Sequence, residues 1–295
     1  MKLNEAITGR TRLLGLLGNP VEHSVSPQLH NTLSVLLGID AVYIPLKVES
    51  DRLGEMVEGL KAGNFSGFNV TIPFKEDILK YVDHITDEVR LVGSANTVLN
   101  KAGVLYASNT DADGFARAFE EETGNDFQGK KVLILGAGGT TRSLAAKIAS
   151  KGAKSLHILN RTVKKAEDIA SMVRSRYDTP CEAGEFEDKA ALAGILKASD
   201  IIVNTTSIGL YPKMEESPLG DHLILDSRQI VYDVIYNPAK TKLLRQAESF
   251  GCKTANGLGM LFYQGILAYE TWMGIKIPGE ILKELYCEFS KYLCE

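Results

Sequence analysis

Cysteine and histidine are sparse in this chain and never clustered. Four cysteines (Cys181, Cys252, Cys287, Cys294) and five histidines (His23, His30, His84, His157, His222) show no CxxC or HxxxH spacing. That scatter argues against a disulfide framework and against a metal site, so no metal is expected. A surplus of one charge is missing too: Lys and Arg number 33 against 37 Asp and Glu, the net charge is −4, and no long basic run occurs. Nothing recommends a nucleic-acid surface. The opening stretch, MKLNEAITGRTRLLGLLG, carries charges through its first dozen residues and has no apolar signal-peptide core, which points to the cytoplasm. Thr254 to Ile275 contains no Lys or Arg, but Asn256, Gln264, Glu270 and several glycines interrupt it. It reads as a helix buried inside the protein rather than a membrane span, and a buried Gln264 needs hydrogen-bond partners. Internal repeats and low-complexity tracts are absent as well.

What remains is an ordinary globular composition, 44% hydrophobic and 24% charged over 295 residues, with room for two domains and a sizeable core. The most informative stretch is Lys130 to Ser143, KKVLILGAGGTTRS. Val132 to Leu135 is a short continuous apolar run, suited to a parallel strand buried on both faces. Gly136, Gly138 and Gly139 follow where the backbone must bend and approach a ligand, and Ser143 to Ala149 has helical spacing. Strand, glycine turn and helix make a phosphate cradle of amide N–H groups and helix dipole. The fingerprint is incomplete, because Thr141 stands where a third Gly or Ala is usual. Ser155 to Leu159 reads as the next strand and ends in Asn160-Arg161-Thr162. An NAD-binding unit places an acid there for the ribose 2′-OH, whereas Arg accepts a 2′-phosphate; the cofactor expected is NADP.

Along the rest of the chain, Arg12 to Leu17 and Val42 to Val48 read as strands and Asp51 to Ala62 as an amphipathic helix. Ser26-Pro27 reads as a helix start, with Ser26 at N-cap and Pro27 at N1, and with Leu29, Leu33, Leu36 and Leu37 on the buried face. Ser24 and Ser26 beside a helix N-terminus would also suit a carboxylate. Phe65 to Pro73 reads as a third strand that alternates apolar Phe68, Val70 and Ile72 with polar Asn69 and Thr71. Its C-terminal end delivers Lys75, and ligands of open α/β sheets bind at such ends. Taken alone, Lys75 is an ordinary solvated charge and Asp111 an ordinary helix cap. Gly93 to Leu99 and Val104 to Ser108 read as a β-hairpin, and Asp111 opens a helix that marks a hinge into the nucleotide domain. Further on, Ala166 to Arg174 and Ala190 to Ala198 read as helices, Asp200 to Val203 and Gln229 to Tyr236 as strands, and Leu243 to Phe250 as a helix. The two strand ends would flank the nicotinamide.

Together these pieces carry HSVSP at 23–27, NVTIPFK at 69–75, SANTV at 94–98, NTDADG at 109–114, GAGGTTR at 136–142, NRT at 160–162, NTTSIG at 204–209, DVIYNP at 233–238 and GLGMLFYQ at 257–264. In that order and spacing the chain resembles the shikimate dehydrogenases, NADP-dependent enzymes that reduce 3-dehydroshikimate to shikimate in aromatic amino-acid biosynthesis. The resemblance covers nearly the whole chain. It implies an α/β architecture with an N-terminal α/β substrate domain over 1–110, a Rossmann-like NADP-binding domain over 111–250, and C-terminal helices over 251–295 that return to the first domain. It implies that Ser24 and Ser26 hold the substrate carboxylate, that Asn69 and Thr71 bind the substrate, that Asn96 and Asp111 grip ring hydroxyls, and that Tyr236 and Gln264 complete the pocket. Lys75 would exchange the proton with Asp111 as its partner. Cofactor contacts would come from Gly136, Ala137, Gly138, Gly139, Thr140 and Arg142, from Asn160, Arg161, Thr162 and Lys165, and from Thr205, Val234 and Gly257.

The chemistry asks for a proton or a cation beside the ketone oxygen as hydride arrives, and Lys75 can supply either. An enzyme of the same fold that oxidises quinate as well, with NAD, is the nearest rival, and Arg161 weighs against it. A non-catalytic sensor of NADP or a shikimate-like acid has no need of the Lys75 and Asp111 pair. The expected partners are small molecules only, with no nucleic acid and no membrane, bound to a monomer or homodimer.

Overall fold

The computed structural model describes residues 7–186, 189–220 and 224–294; the first six residues of the charged opening stretch and His222 lie outside them. The chain divides into two compact units, Met1–Thr110 with Gln264–Glu295, and Asp111–Tyr263. It is a mixed α/β protein with one six-stranded sheet in each unit.

The first unit runs β1 (Arg12–Gly18), α1 (Ser26–Leu36), β2 (Ala41–Lys47), α2 (Leu53–Ala62), β3 (Gly67–Val70), β4 (His84–Ile85), α3 (Asp87–Val92), β5 (Thr97–Lys101) and β6 (Val104–Ser108). Its strand order is β2-β1-β3-β5-β6-β4, with β1 parallel to β2 and β3, and β5 antiparallel to β3 and β6. The expected hairpin is β5–β6. Its turn rests on Ala102 at φ 53° and Gly103 at φ 88°, two left-handed residues whose twist matches that of the strands. Leu17, Val57, Phe68, Val70, Phe74 and Val98 build the core.

Two expectations about this unit need correcting. The third strand is only four residues long and is buried at every position, because β3 lies between β1 and β5 with both faces covered. Alternation therefore fails there: Asn69 is as buried as its apolar neighbours, and Ile72 stands past the strand end, 71% exposed. At α1 the capping position is Val25, without a side-chain cap bond, and Ser26 is already helical with Pro27 in the first turn. Its buried side is Leu29, His30, Leu33 and Ser34, while Leu36 is exposed.

The second unit contains α4 (Asp111–Thr123), β7 (Lys131–Leu135), α5 (Gly139–Ser150), β8 (Ser155–Leu159), α6 (Val163–Arg176), β9 (Cys181–Gly184), α7 (Lys189–Ala198), β10 (Ile201–Asn204), β11 (Ile230–Asp233), α8 (Lys242–Ser249) and β12 (Lys253–Ala255). Its sheet is parallel throughout, in the order β12-β11-β10-β7-β8-β9. The chain starts in the middle at β7, runs outward to β9, then returns to β10 on the other side of β7. Ligands of such sheets lie where the direction reverses, outside the C-terminal ends of the strands, which here means Leu135 and Asn204. Continuous burial of β10 and β11, and of β7 beyond Lys131, is what a sheet covered on both faces requires. Two more helices, α9 (Leu258–Met273) and α10 (Gly279–Cys294), follow. The division between units falls inside α9 rather than at residue 251. Among the described residues no helix is long and apolar enough to cross a membrane. The one buried carboxylate of α9, Glu270, accepts from Lys276 Nζ at 2.6 Å and from the Ile277 amide at 3.0 Å.

Candidate active site

In the first unit the C-terminal ends of β1 and β3 lie beside the start of β5, since Asn69 faces Thr97 in the antiparallel register. That register puts two amides, Asn69 and Asn96, next to each other. Asn69 Nδ2 donates to the Asn96 carbonyl at 3.0 Å and to Thr97 Oγ1 at 3.2 Å. Asn96 Nδ2 donates to Thr110 Oγ1 at 3.0 Å and to Gln264 Oε1 at 3.3 Å, while Asn96 Oδ1 accepts from the Thr110 amide at 2.8 Å. Gln264 thus has the partner that its place in an apolar helix demands.

The network extends to a residue that the motifs do not contain. Tyr43 is fully buried in β2, and its hydroxyl donates to Asn69 Oδ1 at 2.9 Å. Burial pushes the phenol well above its usual pKa, with the nearby Ser26 side chain pulling the other way, so Tyr43 stays a neutral donor. Ser24 Oγ accepts from the Ser26 amide at 3.3 Å. Thr71 and Lys75 sit on the turn after β3, where the Thr71 amide donates to the Leu17 carbonyl at 2.8 Å and the Lys75 carbonyl accepts from Ala95 at 2.8 Å. Lys75 is half-buried, one residue past the buried Phe74. Tyr43, Asn69, Asn96 and Gln264 are therefore brought into one chain of hydrogen bonds, with Thr71 and Lys75 on the turn after β3 and with Ser24 and Ser26 paired at the start of α1. Behind the network His30 packs on the rings of Tyr43 (4.3 Å) and Trp272 (5.2 Å). Burial lowers its pKa to about 3, so it serves as a neutral aromatic filler.

In the second unit β7 is followed at once by Gly136, at φ +108°. The first turn of α5 then opens with Gly139 and Thr140, which are exposed together with Gly138. Gly138 has an extended backbone (φ −94°, ψ −173°) that any residue adopts, and Cβ atoms added at Gly138 or Gly139 would meet nothing within 4 Å. Neither the conformation nor the protein's own packing demands glycine at these two positions. A pyrophosphate seated on the helix N-terminus does, because a side chain would stand between it and the amides. Residues 136–140 thus fit a dinucleotide on an observation independent of the motif. One strand over, β8 is followed by Asn160, whose Nδ2 donates to the Thr162 carbonyl at 3.0 Å. Arg161, Thr162 and Lys165 stand exposed there with no acid in the ribose position.

On the other side of β7 is a second polar cluster that sequence reading missed. Asp233, at the end of β11, is fully buried and accepts from Asn204 Nδ2 at 3.0 Å, from Thr241 Oγ1 at 2.8 Å and from the Ile235 amide at 3.1 Å. Burial raises its pKa to about 6, although all three hydrogen bonds pull it down. Asn204 Oδ1 in turn accepts from the Thr206 amide and hydroxyl at 3.0 and 2.8 Å. The cluster fixes the loops that carry Thr205, Val234 and Tyr236. The polar residues ending otherwise apolar strands, Asn204 in IIVN and Asp233 in IVYD, were the available signal. Gly257 admits no side chain, because its Cβ would collide with the Val234 carbonyl. Asp111 and Tyr236 belong to this unit, both half-buried, Asp111 as the first residue of α4.

Residues 16–98 match the family described as the shikimate dehydrogenase substrate binding domain, residues 118–212 that described as shikimate / quinate 5-dehydrogenase, and residues 257–284 the shikimate 5'-dehydrogenase C-terminal domain. The chain is 42% identical over 283 residues to a protein of Alkaliphilus oremlandii named shikimate dehydrogenase (NADP(+)), an alignment that covers 96% of this chain and 98% of the relative. The crystal structure of shikimate 5-dehydrogenase from Listeria monocytogenes in complex with shikimate and NAD superposes with a TM-score of 0.91 at 39% identity, over 96% of this chain and 99% of that one. A shikimate dehydrogenase crystallised with NADP+ gives a TM-score of 0.85 at 36% identity, with 96% of each chain covered.

Proposed function

Since the chain belongs to the shikimate dehydrogenase family, we propose that the cluster of the first unit binds the substrate and that of the second unit the cofactor. The enzyme is an NADP-dependent oxidoreductase acting on a CH–OH group, and its reaction is the reversible reduction of 3-dehydroshikimate to shikimate. The observation that carries this reading is the hydrogen-bonded chain Tyr43–Asn69–Asn96–Gln264, which joins polar residues suited to a polyhydroxylated ring.

In this proposal Ser24 and Ser26 take the carboxylate. Asn69, Thr71, Asn96 and Gln264 meet the ring hydroxyls, and Tyr236 closes the pocket. When bound at residues 136–142 and 160–165, NADPH supplies hydride from its nicotinamide ring. The ketone carbon becomes a C–H carbon, and its oxygen gathers negative charge that must be met by a proton. Lys75 holds that proton at the oxygen as an ammonium, with Asp111 as its carboxylate partner and second hydroxyl acceptor. In the reverse direction the same amine takes the proton from the hydroxyl. Arg161, with Thr162 and Lys165, meets the 2′-phosphate, while Thr205, Val234 and Gly257 line the nicotinamide side.

The test is a steady-state assay with shikimate and quinate against NADP+ and NAD+. Shikimate with NADP+ should give the highest kcat/KM of the four combinations. A preference for quinate with NAD+ would overturn the assignment of substrate and cofactor together.

A further inference from the structure

The fingerprint glycine that this chain lacks is replaced by a residue with two bonds to make. Thr141 is fully buried. Its Oγ1 accepts from the Gly138 amide at 3.0 Å and lies 2.7 Å from Thr205 Oγ1. The Thr205 hydroxyl spends its proton on the Leu135 carbonyl at 2.7 Å. A hydroxyl has one proton, so Thr141 must be the donor to Thr205. The relay therefore has one direction: Gly138 N–H to Thr141 O–H to Thr205 O–H to Leu135 C=O. It ties three places together, namely the glycine turn, the loop after β10 and the end of β7. Gly136 follows from the same contact, since a Cβ there would come within 2.7 Å of Thr205 Oγ1.

We propose that Thr141 is a positioning residue for hydride transfer, whose hydroxyl latches the pyrophosphate turn to the loop that carries Thr205. This rests on the NADP-dependent reading above. A third glycine or alanine would let α5 pack on β7 equally well, so close packing does not call for a hydroxyl. Burying one is unfavourable unless both its proton and its lone pairs are used, and here both are. By engaging Gly138, the latch also leaves the first-turn amides of Gly139 and Thr140 for an anion. The grip on the pyrophosphate and the placement of the nicotinamide are thereby set by one contact rather than by two loops moving separately.

The experiment uses the whole enzyme with Thr141→Val, which removes the hydroxyl at constant shape, and Thr141→Ser, which keeps it. Dissociation constants are measured for NADP+ and for adenosine 2′-phosphate, which carries only the Arg161 end of the cofactor. Single-turnover NADPH oxidation follows with saturating 3-dehydroshikimate. Thr141→Val should weaken NADP+ by roughly tenfold and slow the single turnover, leave adenosine 2′-phosphate unchanged, and be rescued by Thr141→Ser to within about threefold. Thr205→Val should do the same, and the double variant should be no worse than either single one, because the latch acts as a unit. If Thr141→Val does not fold, the half-buried Thr205→Val carries the comparison alone. NADP+ binding and turnover within about twofold of wild type would overturn the proposal, and so would equal loss of adenosine 2′-phosphate or full additivity of the two substitutions. Wild-type enzyme that binds no NADP+ would sink the functional reading itself, and this inference with it.

Discussion

The Tyr43 hydroxyl donates to Asn69 Oδ1 at 2.9 Å, and the Ser26 side chain is near enough to pull on the phenol's pKa. One phenol thus stands between the proposed carboxylate end and hydroxyl end of the substrate. In Tyr43→Phe a buried amide oxygen loses its donor, at about 1–3 kcal/mol. The KM for shikimate should rise several-fold with kcat little changed, and the Tm should fall by a few degrees. An unchanged KM beside a lowered Tm would make Tyr43 purely architectural.

Gly138→Ala and Gly139→Ala separate folding from binding. Each added Cβ meets nothing within 4 Å, so thermal unfolding should be unaltered or raised by up to ~1 kcal/mol through the less flexible unfolded chain. The same Cβ would stand in front of the helix N-terminus, and NADP+ affinity should drop roughly tenfold, the size of a modest overpacking penalty. Calorimetric titration alongside thermal melts reads both quantities. Wild-type NADP+ affinity in both variants would mean the cradle is not where the pyrophosphate sits.

In the proposed site Arg161 sets the choice of cofactor. A charge-assisted hydrogen bond contributes about 1.5–3 kcal/mol, so Arg161→Ala should lower kcat/KM for NADP+ by on the order of tenfold to a hundredfold and leave NAD+ nearly untouched. An unaltered ratio between the two cofactors would count against the 2′-phosphate assignment.

Asp233 makes stability depend on pH with a definite sign. Its carboxyl titrates at about 6 in the fold because of burial, against ~3.9 unfolded. The raised value means that the protonated form favours the fold. That contribution is complete below pH ~3.9 and is lost as pH climbs through about 6. Asp233→Asn is neutral throughout, so its stability advantage over wild type should be near zero at pH 4. It should grow across pH 4–6 and level off by pH 7.5 at no more than about 3 kcal/mol. Denaturant midpoints for both proteins that run parallel across this range would refute the assignment.

For Lys75→Ala the expectation is a fall in kcat by roughly 10²–10⁴-fold, the usual size of a general acid–base contribution, with KM moving far less. Single-turnover oxidation of NADPH isolates the chemical step. A rate within about threefold of wild type, ~0.65 kcal/mol in the barrier, would remove Lys75 from the proton transfer.

Much of this architecture is legible in the sequence, and the gaps have physical causes. The unit β7–glycine turn–α5 could be read because a buried parallel strand is a continuous apolar run and the turn after it is bare. β3 was misjudged because period-two alternation holds only where one face meets water. The edge strands β4, β9 and β12, at two to four residues, are too short to show any period. Motifs named Ser26, Asn69, Asn96 and Gln264, but not Tyr43, which bonds the Asn69 side chain from 26 residues earlier in the sequence and is placed beside it by strand pairing alone. The Asp233 cluster was missed for the same reason, since Asn204, Asp233 and Thr241 come together only when β10 and β11 align.

The first unit is not continuous in the chain: its last piece, residues 264–295, is made only after the whole of Asp111–Tyr263. On the ribosome the nucleotide unit can therefore complete its sheet while the other still lacks a part. That part is no mere cover. Trp272 donates its indole N–H to the Val98 carbonyl at 2.9 Å and fills the space that Gly67 leaves for it. It is the only tryptophan in the sequence. Its fluorescence is a natural clock for the moment at which the two ends of the chain find each other, and a nascent chain released short of Trp272 would leave a slot in the sheet open to other indoles or aromatic chains.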